Sequence, residues 1–427
     1  MVASWMLMLA HRSSYCSSFV RESTRATTRM SGFRSKTTPA AHYSQQAMNN
    51  CNCCTVESIL GVPEMDLVQL SSADRRLFVS DDDRCFVHRG TKHCTPFGKF
   101  ELVNIDALRR RVEALTGSEG WDHGERGSGS SSLQSPPRLT IQSGVDIGQL
   151  QSTLRTDDHA MVQVASNFNC LENPSIATAA NCGYLVDNAC RDRTQGPAAV
   201  FGPLSAYLYR AHFVEVRGGD DNESQHIGQT QAKGINLLQD VAQYFGTPVN
   251  GKLLLQGDET PVGLDDATPM DTVVDQVCIG LHTNVPVLFG RDSAGLVVPM
   301  LTNDDTSYPT VDQVFSASVD VHACGRMSRA CLRHSQEDQD QAVDHMARTL
   351  LRAAYEGLYL AALVQQRRQL YLTLVGGGSF GNRIELILEE MKRAHDKWAG
   401  HPASHLELCQ ICVFSKTTEE EVQRCFG

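Results

Sequence analysis

The most constraining stretch of this 427-residue chain lies near its end. An apolar strand, Leu370–Val375, meets Gly376-Gly377-Gly378-Ser379-Phe380-Gly381-Asn382, and a helical pattern follows over about 383–398. Consecutive glycines let backbone N–H groups approach a ligand with no Cβ in the way. The start of the helix adds unpaired donors and the positive end of a dipole. Together these make an anion site, most often for phosphate or diphosphate. No Gly-Lys-Ser/Thr follows, so it is not a P-loop. The dinucleotide fingerprint, G-x-G-x-x-G in an early βαβ unit, is also absent. A closely packed structural turn is the competing account of the glycines.

Upstream, apolar runs alternate with helical patterns. Strands are expected at 160–165, 252–256, 278–289, 295–301 and 311–317, and helices at 196–213, 229–246 and 338–366. Gly196-Pro197 opens the first of these helices, where proline loses nothing because that amide is unpaired anyway. Alternation of this kind means an α/β layered domain. Residues 51–116 read as a small α+β segment with a basic helix over Ile105–Leu115. Residues 117–138 are Gly/Ser-rich and read as a linker.

The charge is uneven. The chain carries 38 Lys+Arg against 49 Asp+Glu, a net of -11. Yet residues 1–50 hold six Lys/Arg and one acid, Glu22. Arg-rich, Ser-rich and nearly acid-free is the composition of a mitochondrial or chloroplast transit peptide, and a mitochondrial address is expected on that reading. A disordered leader, or translation from Met30, gives a cytoplasmic one. The acidic balance argues against a general nucleic-acid binder, which needs a basic field. No run approaches the ~18 apolar residues that cross a bilayer, so no membrane partner is expected. The 15 Cys are an odd number in a long chain and do not resemble a small disulfide framework. Cys51-x-Cys53-Cys54 and Cys409-x-x-Cys412 lie far apart and form a weak zinc signal. His159, His212, His226, His282 and His322 sit on different expected elements. No metal and no cofactor are expected.

Two further stretches carry chemistry. The 160–165 strand runs into Ser166-Asn167-Phe168-Asn169-Cys170-Leu171-Glu172. Two Asn and a Glu there would sit at the carboxyl edge of a sheet, where open α/β sheets bind ligands. Asn offers a donor and an acceptor, which suits ribose hydroxyls. Asp192-Arg193-Thr194-Gln195-Gly196 then brings a second helix start to the same edge. Ahead of the strand lies Gly144-Val145-Asp146-Ile147-Gly148. A buried-edge Asp146 would accept from an amino group.

In this order the three pieces resemble a macrodomain, the ADP-ribose-binding α/β/α fold. The matching stretches are Gly144-Val145-Asp146-Ile147-Gly148, Val164-Ala165-Ser166-Asn167-Phe168-Asn169 and Thr194-Gln195-Gly196-Pro197. Later come the Tyr/Ala/Leu-rich helix from Ala354, the strand from Leu370 and the loop from Gly376. The chain is also similar to a widespread group of macro-like proteins that share A-S-x-F-N-x-L-E, D-x-T-Q-G-P-A and L-T-L-x-G-G-G-x-F-G-N. The resemblance covers roughly 140–400. It implies a three-layer α/β/α sandwich with a mixed sheet over 139–400, an insertion at about 217–335 and a C-terminal tail at 401–427.

By resemblance, Asp146 meets the adenine amino group, and Asn169, or Asn167, the distal ribose. Thr194, Gln195 and Gly196 line the first phosphate-side loop. Gly376, Gly377, Gly378, Ser379, Phe380, Gly381 and Asn382 wrap the diphosphate. Departures are also present: Val145 separates Gly144 from Asp146, and the 172–194 loop is long. Three functions stay open at this point. One is hydrolysis of an ADP-ribosyl glycosidic bond, with Glu172 as acid/base, Asp192 second, Glu356 a distant third, and Asn169 beside the reacting sugar. The others are a non-catalytic reader of ADP-ribose, and an interaction protein with a degenerate fold. The expected partner is an ADP-ribose-type small molecule or an ADP-ribosylated protein.

Overall fold

In a computed structural model of the chain, seven strands pair into one mixed sheet. It describes residues 56–117, 135–172, 195–216, 226–230, 233–246, 248, 251–253, 269–291, 297–300, 308–322 and 336–426. The basic leader, Cys51, Cys53, Cys54, most of the Gly/Ser-rich stretch, Asp192 and Thr194 lie outside these residues.

The strands are β1 (Lys99–Asn104), β2 (Leu139–Ser143), β3 (Ala160–Ala165), β4 (Cys278–Pro286), β5 (Thr310–Ser316), β6 (Gln369–Leu372) and β7 (Leu408–Val413). Their spatial order is β1-β4-β5-β3-β6-β7-β2. From β5 to β2 every pairing is parallel. The β4 pairings, with β5 and with β1, are antiparallel. β3 is hydrogen-bonded on both sides and buried along almost its whole length. That is why its sequence is a continuous apolar run and not an alternating one.

Helices cover both faces, and alternation along β5 shows which. Gln313 donates from Nε2 to Gln151 Oε1 and to the Ala199 carbonyl, both at 2.9 Å. Those acceptors belong to α2 (Ile147–Thr153) and α3 (Gln195–Phe201). Ser316, three residues on, points the other way and shares a small internal void with Leu350 and Ala354. These two lie on α5 (Gln336–Val364), which packs with α1 (Ile105–Thr116), α4 (Met270–Gln276) and α6 (Ile384–Trp398). The C-terminal helix α7 (Lys416–Phe426) packs on β7 and β2. The second half of α5 is buried on all sides, from Tyr355 to Leu363. Its one carboxylate there, Glu356, accepts from Arg109 (3.0 Å), Lys397 (2.8 Å) and Trp398 Nε1 (3.2 Å). Those partners satisfy a buried charge and give Glu356 a structural role.

Several sequence expectations change here. Residues 217–335 supply β4 and β5, so this stretch is part of the sheet and not an appendage to it. The same holds for the small N-terminal segment, which supplies β1, and for the expected tail, which supplies β7 and α7. The helix expected over 196–213 breaks at Gly202-Pro203. There the Gly202 carbonyl accepts from Leu288 and Phe289 of a crossing segment. Pro203 has no amide to continue the ladder. Leu204–Leu208 and a wide turn over Tyr209–Phe213 follow. The helix expected over 229–246 shrinks to short turns at Gln239–Val241 and Ala242–Phe245. Tertiary pairing wins in this region. Buried Gln229 bonds the carbonyls of Asn169 and Arg210 and the amide of Ile235, and Leu237 N donates to Phe168 O.

Behind the sheet, Arg210 is completely buried and lies 3.9 Å over the Phe315 ring. It donates to the carbonyls of Cys170 and Ala206 and contacts His282 Nδ1 at 2.9 Å. His282 Nε2 donates to the Phe97 carbonyl at 2.7 Å, so Nδ1 is the acceptor for Arg210. Burial pulls the Arg210 guanidinium down to about 10, and burial with Arg210 pulls His282 well below the usual imidazole range. Burial also lowers His395 and His401. Each of the three histidines lies under its unfolded value when folded, so the unfolded chain binds more protons there in acid. Their contribution to stability is complete above the ordinary histidine range, about pH 6.5, and is lost as pH falls below it. Melting temperature is therefore expected to drop between pH 7.5 and pH 5.5, before most carboxylates protonate. Equal melting temperatures at the two pH values would contradict this.

Candidate functional site

The carboxyl ends of β3, β5, β6 and β7 meet at a cavity of about 670 Å³. Each strand delivers the residues that directly follow it: Ser166 and Asn167 after β3, Ser318 after β5, Leu374 through Phe380 after β6, and Phe414 with Ser415 after β7. The start of α3 closes one wall with Gln195, Gly196 and Pro197.

The glycine loop is held from below. Tyr355 Oη donates to the Thr373 carbonyl (2.8 Å) and accepts from Val375 N (3.2 Å), tying α5 to the chain that enters the loop. Asn382 closes the far end. Its backbone N donates to Gly376 O at 3.0 Å. Its Nδ2 donates to Val319 O (2.9 Å) and Gly376 O (3.2 Å), while Ser318 Oγ donates to its Oδ1 at 2.9 Å. Asn382 therefore shapes the loop and does not line the cavity.

The glycines divide by cause. Gly376 has φ +73° and lies against the Asn382 amide. Gly381 has φ +70° and lies against the His322 ring. A Cβ at Gly377 would meet Ile384 and Ile387 at 3.0–3.1 Å. These three have structural reasons. Gly378 has none: a Cβ there would meet nothing within 4 Å, and the residue faces the cavity. Among the described residues, no group accepts a hydrogen bond from the amides of Gly378, Ser379 or Phe380. Three consecutive donors thus stand at the cavity wall.

Opposite lies the turn after β3. Asn167 O accepts from Cys170 N (2.9 Å), and Asn167 N donates to Leu171 O (3.0 Å), with Cys170 at φ +57°. This turn brings Asn167 and Glu172 to the cavity. The Glu172 carboxyl rests on Gly196, where a Cβ would come within 2.5 Å of its Cδ and Oε2. Gln195 anchors this wall by donating to the Cys412 carbonyl at 2.7 Å.

Of the residues marked from sequence, the cavity gathers Asn167, Glu172, Gln195, Gly196 and Gly376–Phe380. Asn169 is not among them. Its Oδ1 accepts from Leu171 N at 3.2 Å, and its side chain packs on Gly251. Asp146 is also elsewhere: it caps α2, accepting from Gly148 N (3.0 Å) and Gln149 N (3.2 Å), and lies 3.5 Å from Arg291 Nε. Gly381 and Asn382 fix the far end of the loop. Asp192 and Thr194 fall outside the described residues. Cys409 and Cys412 are three apart on one strand, so they point to opposite faces and do not form a chelating pair. Burial pushes both thiols up to about 12.

Sequence reading missed Lys252, Ser318, Phe414, Ser415 and Thr418, which also line the cavity. Ser415 carried a legible signal, since its Oγ accepts from Thr418 N at 3.1 Å as a helix cap. Lys252 carried none.

No family model and no curated protein matches the sequence. Comparison of the structure with solved structures finds similar chains. One is poly(ADP-ribose) glycohydrolase from Deinococcus radiodurans in complex with ADP-ribose, at 11% identity, covering 77% of this chain and 92% of that one, with a TM-score of 0.38. The apo form of the same enzyme gives 12%, 77%, 90% and 0.36. Poly(ADP-ribose) glycohydrolase from Thermomonospora curvata gives 11%, 83%, 96% and 0.36.

The division among the glycines is directly testable by thermal melting. Gly376→Ala is expected to lower the melting temperature by roughly 3–8 °C, through a positive φ and a crowded Asn382. Gly378→Ala is expected to melt with the wild type. A comparable loss in both would mean that Gly378 also serves the fold.

Proposed function

We propose that the cavity binds ADP-ribose or an ADP-ribosyl derivative, and that Glu172 assists hydrolysis of its distal glycosidic bond. The observation that carries this reading is the row of three amides, Gly378 to Phe380, standing without acceptors among the described residues in the same cavity as the Glu172 carboxylate. Consecutive amides in a glycine turn suit a diphosphate, and the start of α6 just beyond adds its dipole. Gly378 lets phosphate oxygens reach the backbone without meeting a side chain. The sequence resemblance to macrodomains supports the same ligand, and it puts the diphosphate on this loop and the ribose beyond it.

With the diphosphate there, the distal ribose lies toward Phe380, Asn167 and Glu172. Asn167 serves the ribose hydroxyls in place of Asn169, whose side chain is engaged behind the turn. Glu172 supplies acid/base chemistry. As a carboxylic acid it gives its proton to the leaving oxygen as the bond to the anomeric carbon breaks. Water forms the new bond to that carbon and returns a proton to the carboxylate. Gly196 holds the carboxyl in place by leaving room for it. An ADP-ribosylated protein presents the same distal ribose, and so falls within the proposed substrate class. The adenine amino group is not read by Asp146, whose oxygens face the α2 amides and Arg291.

Calorimetry with ADP-ribose, followed by product analysis on ADP-ribosylated substrates, tests this. Wild type is expected to release heat and form product. Glu172→Gln is expected to keep affinity within about threefold and lose roughly 10²–10⁴-fold in turnover. Gly378→Ala is expected to weaken binding at unchanged stability. Heat without product would make the chain a reader of ADP-ribose. No heat and no ligand-dependent rise in melting temperature would sink the ligand assignment, since saturation at ~100 times Kd adds about 2.7 kcal/mol. Undiminished turnover in Glu172→Gln would remove Glu172 from the chemistry.

A further inference from the structure

Glu172 and Lys252 are the charged side chains lining the cavity among the described residues. A ligand with a dianionic diphosphate would enter next to the carboxylate of an acidic chain. The loop amides offer partial charges only, so a full positive charge is needed to balance the site. Lys252 is placed to supply it. Its Nζ lies 5.5 Å from the centroid of the Phe380 ring, at the end of the free amide row. No carboxylate pairs with Lys252 among the described residues, so its charge is not already spent.

The placement is built from the turn after β3. Gly251 takes φ +76° and packs directly against the Asn169 side chain. Its carbonyl accepts from Phe168 N at 2.7 Å. Asn169 and Phe168 therefore hold the chain that presents Lys252, which gives Asn169 a positioning role from behind the cavity wall. A side chain at Gly251 would collide with Asn169, and that explains the glycine.

We propose that Lys252 is the charge-bearing contact of the site. It takes a phosphate oxygen of a sugar-nucleotide diphosphate next to Phe380, so that affinity depends on ligand charge and on salt, unlike contacts made by amides alone. This rests on the ligand reading above, and it extends that reading to a residue from a distant segment. Lys252→Met keeps the aliphatic stem over Phe380 and removes the charge. Lys252→Arg keeps the charge.

The experiment is calorimetry of wild type, Lys252→Met and Lys252→Arg with ADP-ribose, inorganic pyrophosphate and adenosine, at about 50 and 300 mM salt. Melting temperatures of the three proteins serve as a folding control. Wild type is expected to bind ADP-ribose and pyrophosphate more weakly at high salt. Lys252→Met is expected to lose roughly 10- to 100-fold in affinity for both, and most of the salt dependence, at an unchanged melting temperature. Lys252→Arg is expected to recover most of the loss. Equal affinity and equal salt dependence in wild type and Lys252→Met would overturn the role of Lys252 and leave the ADP-ribose reading intact. Lys252-dependent binding of pyrophosphate without binding of ADP-ribose would keep Lys252 and retire that reading. Binding of neither anion, or tighter binding of adenosine than of either, would overturn both.

Discussion

The site depends on one constraint: five neighbouring strands, β5, β3, β6, β7 and β2, run the same way. Their carboxyl ends fall on one edge, so the loops that follow are brought together regardless of their distance in sequence. Register then fixes which residues arrive. Gln163 of β3 accepts from Thr373 N (3.1 Å) on one side and approaches Ser316 Oγ (3.4 Å) on the other. A slip of one residue would turn Gln163 to the opposite face and break both links. It would also move the first loop residues, Ser166 and Asn167, out of alignment with Ser318 and Leu374.

What the sequence made legible were features whose cause is local. The strand–glycine–helix unit at 370–398 could be read because glycine and apolar periodicity act within a few residues. Glu172 and Asn167 were legible because they follow directly after a continuous apolar strand. The choice between Asn167 and Asn169 was not, because it turns on which way two side chains leave one tight turn. That turn is set by backbone bonds between Asn167, Cys170 and Leu171. Asp146 has the residue type of an adenine partner, yet Arg291 lies on a different segment, and nothing near 146 announces it. Lys252 was invisible for the same reason: a lysine in a loop means little until Phe168 bonds its neighbour. Membership of β4, β5 and β7 in the sheet was equally hidden. Pairing is a property of two strands, and a local pattern shows one.

The electrostatics of the cavity differ from what the net charge suggests. The chain is acidic overall, and its strongest described positive groups are mostly spent on structure. Arg210 is sealed behind the sheet, Arg109 and Lys397 serve Glu356, and Arg348 and Arg352 serve Glu390. In the proposed reading, recognition of the diphosphate falls first to fixed dipoles, which lose no rotamer freedom. Lys252, at the end of that row, would then add selectivity for charge without making the cavity a general attractor of polyanions.

The N-terminal segment acquires a different meaning from its place in the sheet. β1 pairs with β4 along its whole length, and β4 is an apolar strand buried at nearly every position. Without β1, that strand would present a row of open amides and carbonyls beside an apolar face, an edge on which a second copy of the chain can add a strand. The piece that precedes the Gly/Ser-rich stretch thus acts as a selvedge: it moves the edge of the sheet from an apolar strand to a half-exposed one that carries Lys99 and Glu101.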